Sequence, residues 1–511
     1  MTAIPPEKQD SPYSQPADIA PVAHRGWILA ALMLTMSLAA MDITIVATVI
    51  PQIVGDLGGF DQFTWLFSIY LLAQTVTIPI YGKLSDLYGR KPVLIGGSAL
   101  FLLGSAACAL AWGMVPLIVF RAIQGLGAGS IMATVNTLAG DLYSTRERAR
   151  VQGWLSSVWG MAAIAGPTLG GAFAEYATWR WVFLINLPIG LAAIGLIARY
   201  LHEQAPAQRH AIDYVGAILM MLTGAVGVFG LLQGGNAWAW LSGPSLATFT
   251  LFTLLIIATV KRERRAAEPI MPGWVWRHRL MLGSNLGALG MGLVMMAPGT
   301  YLPVFAQSVM GLGPISAGLV LASMSLGWVC ASAWSGRLYL QFGFRDTALF
   351  GGVLILLAIL GFVALPPQPA TWLVTADQVL LGAGFGMLST PLLVSVQSVV
   401  PWHQRGVATS ANMWSRYLGQ SLGAAVVGAL FNNTMRDALA AAPAALDGAL
   451  PTVNGVITAL QTDPVASATR QYLLSAFDAA THQVYMGMIG IAVLTLLAVL
   501  LMPRHTEQAT A

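Results

Sequence analysis

The sequence predicts an all-α integral membrane fold: fourteen transmembrane helices, in two six-helix pseudo-repeat halves plus two inserted helices. Three observations carry this. Of 511 residues, 56% are hydrophobic and 9% are charged, against about 25% charge in soluble domains. Apolar runs of about twenty residues, long enough to cross roughly 30 Å of hydrocarbon as a helix, recur along the chain. Between the runs the basic residues alternate, with twenty Lys and Arg in the segments of one side and only Arg180, Arg436 and Arg470 on the other.

Taken in order, residues 1–26 are a polar, Pro-rich tail that mixes Glu7, Asp10 and Asp18 with Lys8 and Arg25. The tail lacks a signal peptide's order of basic, apolar and small residues, so the first apolar helix is expected to remain as an anchor. Runs near 27–50, 63–82, 92–112, 115–138, 151–173 and 181–201 make an N-terminal half, 27–201. Residues 202–280 hold the inserted helices, near 213–232 and 243–260, and a basic linker. A C-terminal half, 281–503, has runs near 281–306, 315–336, 346–365, 371–396, 405–431 and 484–503, and residues 504–511 are a tail. An even number of spans places both termini on one side, and the positive-inside rule makes that side cytoplasmic in a multi-pass protein of the inner (cytoplasmic) membrane. The Lys261–Arg265 cluster is then a contact for anionic lipid in the bilayer rather than a nucleic-acid patch.

The loops repeat. Gly82-Lys83-Leu84-Ser85-Asp86-Leu87-Tyr88-Gly89-Arg90-Lys91 joins spans 2 and 3, and Gly336 to Arg345 joins spans 10 and 11 with the glycines and flanking bases at the same spacing. Gly127-Ala128-Gly129 of span 4 is echoed by Gly382-Ala383-Gly384 of span 12. Paired halves of this kind are the layout of a repeat-built transporter with its substrate between the halves. An enzyme would need converging His, Cys or acidic side chains. The seven histidines fall in loops or termini, and Cys108 and Cys330 lie in apolar runs without metal or disulfide spacing. No metal is expected, and the absence of a phosphate-binding glycine loop with its lysine argues against ATP drive.

Asp42 stands inside an apolar run, where an acid costs about 2.5–3.5 kcal/mol and marks an ion pathway or a partner. It lies about eight residues, or roughly 12 Å, below the outer end of span 1, and Arg121 lies about six residues, or roughly 9 Å, below the same end of span 4. Two opposite charges at one depth are expected to be partners, direct or through water. Arg416 is a further deep charge, in span 13.

These stretches together resemble the major facilitator superfamily, specifically its fourteen-span drug:proton antiporter branch, over residues 27–503. Gly82–Val93 resembles the signature cytoplasmic loop and Arg121–Gly129 the span 4 motif. Gly160, with Gly166, Pro167, Gly170 and Gly171, resembles the antiporter motif. Asp42 in its Asp-x-Thr-Ile-Val context and the Trp179–Pro188 stretch resemble features of the fourteen-span branch. The resemblance implies proton-driven export of lipophilic small molecules or drugs by alternating access, with protons as the coupling ion and no other cofactor. It assigns proton coupling to Asp42 and Arg121. A cytoplasmic gate is implied at Gly82, Asp86, Gly89, Arg90, Lys91 and Arg405, in which Asp86 holds the start of span 13. Trp65, Gln74, Asn136, Trp159, Met295, Tyr301, Phe305 and Arg416 are expected to line the substrate cavity. Arg-x-Leu-Gly is common in the branch, so Arg416 reads as architectural ahead of a substrate ligand, with an anion contact as the alternative. The external loop, 432–483, is long for a segment without structure. It reads as a cap and as a docking surface for a periplasmic adaptor, a candidate partner that some relatives use. An uptake symporter of the same fold and a non-transporting membrane sensor are the competing readings; the span 5 Gly-Pro favours export.

Overall fold

The computed structural model describes residues 24–58, 62, 65–203, 213–234, 238–366, 368–443, 450–451, 456, 460 and 467–504. The terminal tails 1–23 and 505–511 and most of 444–466 lie outside the described residues. The described residues form helices and no β-strand: α1 (Arg25–Thr48), α2 (Ile50–Leu57), α3 (Trp65–Tyr88), α4 (Arg90–Ala109), α5 (Met114–Leu142), α6 (Thr145–Tyr176), α7 (Trp181–Leu184), α8 (Asn186–Tyr200), α9 (Tyr214–Gln233), α10 (Gly243–Glu263), α11 (Trp274–Arg277), α12 (Arg279–Ser308), α13 (Pro314–Phe342), α14 (Phe344–Val363), α15 (Thr371–Ser398), α16 (Arg405–Ala440) and, last, α17 (Ser467–Leu500).

Twelve helices among the described residues are long and apolar enough to cross a membrane. The expected spans at 151–173 and 405–431 are helices too, but fall short in hydropathy. Length is not the cause, because α6 has 32 residues and α16 has 36. Composition is. Gln152, Ser156 and Ser157 sit on α6, and Asn412, Ser415, Arg416 and Gln420 on α16. These helices face protein: α6 packs on α1 and α13, and α16 on α3, α12 and α17.

Four expected spans end differently. Span 1 breaks at Val49, ahead of Pro51, and continues as α2. Span 6 is interrupted at Ile185. The expected 432–483 loop is much shorter, because α16 continues to Ala440 and α17 begins at Ser467. Burial drives this extension: Phe431, Met435, Leu473 and Phe477 are buried together, with Phe431 and Phe477 edge to face at 5.1 Å.

The repeated loops share a backbone. Gly89 (φ 95, ψ 157) and Gly343 (φ 89, ψ 164) each precede the next helix with positive φ, a conformation glycine adopts without steric cost.

The apolar interior segregates along the chain. One core is built wholly from residues between Leu280 and Met502. Two others come from α1–α8, and only Leu393, Met413 and Tyr417 cross from the later helices into one of them. Contacts between the two groups run along α6–α13 and α3–α16. The α9–α10 hairpin lies outside both, packed through α9 on α3 and α16. The starts of α1, α6 and α14 and the end of α17 share one face, here the terminal face: Tyr143 donates to the Arg25 carbonyl, Tyr339 to that of Thr145, and Arg504 pairs with Asp346.

Candidate functional site

Asp42 on α1 and Arg121 on α5 meet. Both side chains are fully buried and Arg121 Nη1 donates to Asp42 Oδ2. Arg121 also donates through Nε to the Leu66 carbonyl (3.1 Å) and through Nη1 to Gln124 Oε1 (2.8 Å). Gln124 Nε2 donates to Asp42 Oδ1 (2.8 Å). The guanidinium lies over the Tyr70 ring at 4.3 Å and near Phe183 at 5.9 Å. Removing one member of such a pair leaves an uncompensated charge, worth about 3–5 kcal/mol.

α6 is held against α1 beside this pair. A Cβ on Gly166 would lie 2.1 Å from Thr44 Oγ1, and one on Gly170 would lie 1.9 Å from Thr48 Oγ1. Thr44 donates to the Ala162 carbonyl at 2.9 Å. Gly160 faces Ser325 of α13, Gly171 faces open space, and Pro167 is accommodated inside the helix. Gly160, Gly166 and Gly170 thus shape helix contacts, whereas Pro167 is exposed and Gly171 contributes no packing.

At the terminal face, Asp86 accepts from the backbone N–H groups of Gly406 (2.9 Å) and Val407 (2.8 Å) at the start of α16. An anion suits the positive end of a helix. Gly82 allows this approach, since a Cβ there would lie 2.0 Å from Ser410 Oγ and 2.6 Å from the Gly406 carbonyl. Arg90 pairs with Asp86 (2.8 Å) and Asp141 (2.9 Å) and stacks on Trp402 at 3.9 Å. Arg405 pairs with Asp141 at 3.1 Å, so the two arginines share an acid from α5 while Asp86 holds backbone. Lys91 does not join: its Nζ donates to the Ala198 carbonyl at 2.8 Å. Asp141 escaped the sequence reading, although an acid on a face crowded with bases was a usable signal. Glu203, which accepts from the backbone of Arg90 and Lys91 at 2.8 and 2.7 Å, had none. The α10–α12 linker adds a further tie, Lys83 to Glu268 at 2.6 Å.

The expected cavity residues divide. Gln74 donates weakly to Tyr417 Oη (3.5 Å) between α3 and α16, and its Oε1 has no partner. Gln420 of α16 approaches Met295 Sδ at 3.8 Å. Arg416 is half-buried and its Nε has no partner. Tyr301 stacks on Phe431 at 4.4 Å, and Trp159 is half-buried beside the first-half core. Three residues sit elsewhere. Phe305 is fully buried against Phe362 and His482 in the later core, where apolar packing holds it. Trp65 stacks on Phe229 of α9 at 5.8 Å. The Asn136 carbonyl accepts from Gln397 at 3.0 Å, a contact of the closed terminal side.

On the distal face Asp56 of α2 accepts from Trp179 Nε1 (3.0 Å) and Arg180 Nη1 (2.8 Å). The Trp179 and Arg180 donors hold its carboxyl below the usual carboxylate range.

Residues 32–424 match the Major Facilitator Superfamily. The chain is 34% identical over 420 residues to Multidrug resistance protein 3 of Bacillus subtilis, covering 81% of this chain and 82% of that one. It is 33% identical to Multidrug transporter protein MdtP of the same organism, over 80% of this chain and 76% of that one. It is also 31% identical to Efflux pump dotC of Dothistroma septosporum, over 80% and 72%. In fold it is similar to the human organic anion transporter MFSD10 (TM-score 0.61, 14% identity, 93% of this chain and 99% of that one). With a superfamily match over most of its length, laid on a helical membrane fold, the chain belongs to the major facilitator superfamily and is a transporter rather than an enzyme.

Proposed function

We propose that the protein is a proton-driven antiporter that exports lipophilic small molecules across the cytoplasmic membrane by alternating access. The observation that carries the reading is the fully buried Asp42–Arg121 pair, since ionisable groups inside a membrane are functional by default. Multidrug and efflux transporters among its relatives support export of drug-like molecules. α6 and α16, added to the twelve apolar helices, make fourteen spans. The twenty-to-three basic bias makes the terminal face cytoplasmic.

In this mechanism Asp42 takes a proton from outside, its neutralisation releases Arg121, and the halves rock about the α3–α16 and α6–α13 contacts. Proton release inside resets the cycle. Arg121 rests on Tyr70 of α3, and α3 also carries Gln74 and Asp86, so the freed guanidinium acts on the helix that meets α16. The unpartnered Gln74 Oε1 and Arg416 Nε are polar groups offered to a substrate between the halves.

The test is reconstitution in liposomes with a panel of lipophilic dyes under an imposed proton gradient. Gradient-driven export should fall at least about tenfold in Asp42→Asn, on the order of the loss of one charge-assisted contact. Undiminished export in a folded Asp42→Asn protein would move coupling elsewhere, and net inward flux would make the protein a symporter.

A further inference from the structure

We infer that the Trp179–Pro188 stretch locks the side-chain amide of Gln124 as a donor to Asp42, so that it cannot turn to accept the coupling proton, and that Ser105 and Asn186 are positioning residues of the coupling site. The inference rests on the proton-antiport reading above.

Ser105 of α4 has a single hydroxyl proton, and it is donated to the Phe183 carbonyl at 2.9 Å. The same oxygen accepts from Asn186 Nδ2 at 2.9 Å and from Gln124 Nε2 at 3.3 Å. With its proton committed, Ser105 can only accept on the Gln124 side. Gln124 must therefore turn Nε2 toward Ser105, which sets Nε2 on Asp42 Oδ1 (2.8 Å) and Oε1 on Arg121 Nη1 (2.8 Å). The opposite orientation would place Oε1 against two acceptors and Nε2 against a guanidinium. Asp42, Ser105, Arg121 and Gln124 are 0% exposed and Asn186 is 2% exposed, so bulk water does not offer substitute partners. The titratable groups around Asp42 are Arg121, the Tyr70 phenol and the Cys108 thiol.

The lock has a mechanistic consequence. Both oxygens of Asp42 are engaged by N–H donors, Oδ1 by Gln124 and Oδ2 by Arg121, so neither can carry a proton without losing a donor. Because the locked amide cannot turn to accept the new O–H, protonation displaces a donor and breaks the hold of Arg121 and Gln124 on the carboxylate. Were the amide free to turn, Gln124 Oε1 could accept a proton carried on Oδ1 while Arg121 kept Oδ2. Protonation would then leave the pair intact and do no conformational work. Phe183 and Asn186, on either side of the Ile185 interruption, supply both halves of the lock, which gives the Trp179–Pro188 stretch a role in coupling.

The probe is the proton itself. Infrared difference spectra of the purified full-length protein, titrated with pH, should contain a carboxylic C=O band that Asp42→Asn abolishes. Asn186→Leu and Ser105→Ala should shift that band and raise its pH midpoint by about one unit or more, because a free amide favours the protonated acid. In liposomes both should still pass dye down its own gradient while gradient-driven export falls about tenfold. Ser105→Thr, which keeps the hydroxyl, should behave as the parent, and Ser105→Ala serves where Asn186→Leu does not fold. In an Asp42→Asn background, Asn186→Leu should cause no further loss of gradient-driven export. An Asp42-dependent band whose frequency and midpoint are parental in both variants overturns the lock alone. Absence of that band, or export surviving Asp42→Asn, overturns the coupling role of Asp42 and the inference with it.

Discussion

Asp86 and Asp42 are both acids buried at helix contacts and each pairs with a buried arginine, but their remaining partners differ. Asp42 is held by the side chains of Arg121 and Gln124, whereas Asp86, besides Arg90, accepts from the backbone N–H groups of Gly406 and Val407. Asp86→Asn keeps the size but loses the charge that favours a helix N-terminus, so the terminal-face closure should weaken by about 1–3 kcal/mol. Faster labelling of a cysteine introduced at Gly140, which lies under Gln397, would register this, and unchanged labelling would remove Asp86 from the gate. Arg121→Lys should behave almost as badly as loss of the charge, because an ammonium cannot serve Leu66, Gln124 and Asp42 together in the fork geometry of a guanidinium. The measurement is gradient-driven export, expected to drop about tenfold or more. At this scale the sequence disclosed the costly residues. An acid and a base at one membrane depth stand out, whereas Gln124, Ser105 and Asn186 are neutral, common in helices and dispersed over three elements, so their convergence appears only with the backbone in place.

Elements were legible by their apolar composition and not by their exposure. α15, with 78% of its apolar window buried, is as apolar as α10, with 11%, and both stand out as hydrophobic runs. α6 and α16 carry polar and small residues where they pack on α1 and α13 and on α3 and α12, and their hydropathy is correspondingly diluted. The ends of elements were less legible, since α16 and α17 outrun their apolar cores by burying Phe431 and Phe477 against one another. The start of α6 illustrates a local end signal. Glu147 accepts from the backbone N–H of Ser144 (3.0 Å) and from its hydroxyl (2.9 Å), and the backbone bond is the first cause of its carboxyl being held below the ordinary value. Because the folded value is depressed, the contribution to stability is present above the unfolded value of 4.5 and is lost as pH falls through the lower folded one. Glu147→Ala should cost about 1 kcal/mol at neutral pH and less in strong acid, which thermal melting at the two pH values would check.

At the scale of the whole molecule the direction of opening follows from where the halves are tied. Among the described residues, hydrogen bonds between the first and later groups of helices run from Gln74–Tyr417 to the terminal face, through Asn136–Gln397, Thr145–Tyr339, Asp141–Arg405 and Asp86–Gly406. The state is closed on the terminal side. A cysteine at Gln420 should therefore react with a membrane-impermeant thiol reagent from the distal side, and one at Asn136 should be protected; Asp86→Asn should invert that ranking. Equal labelling at both positions would contradict a single closed side. The sequence anticipated two related halves from the glycine spacing of the loops, because a turn with positive φ admits few alternatives to glycine. It could not disclose which side was shut, which depends on contacts between residues hundreds of positions apart.

The α9–α10 hairpin is closed at its base by Arg262 and Asp213, 2.6 Å apart, so the chain leaves the pair on the face where it entered. In topological terms the hairpin is an even-parity insertion. It adds two crossings without reversing the polarity of anything downstream, and the later helices meet the earlier ones in the orientation they would have if the hairpin were excised.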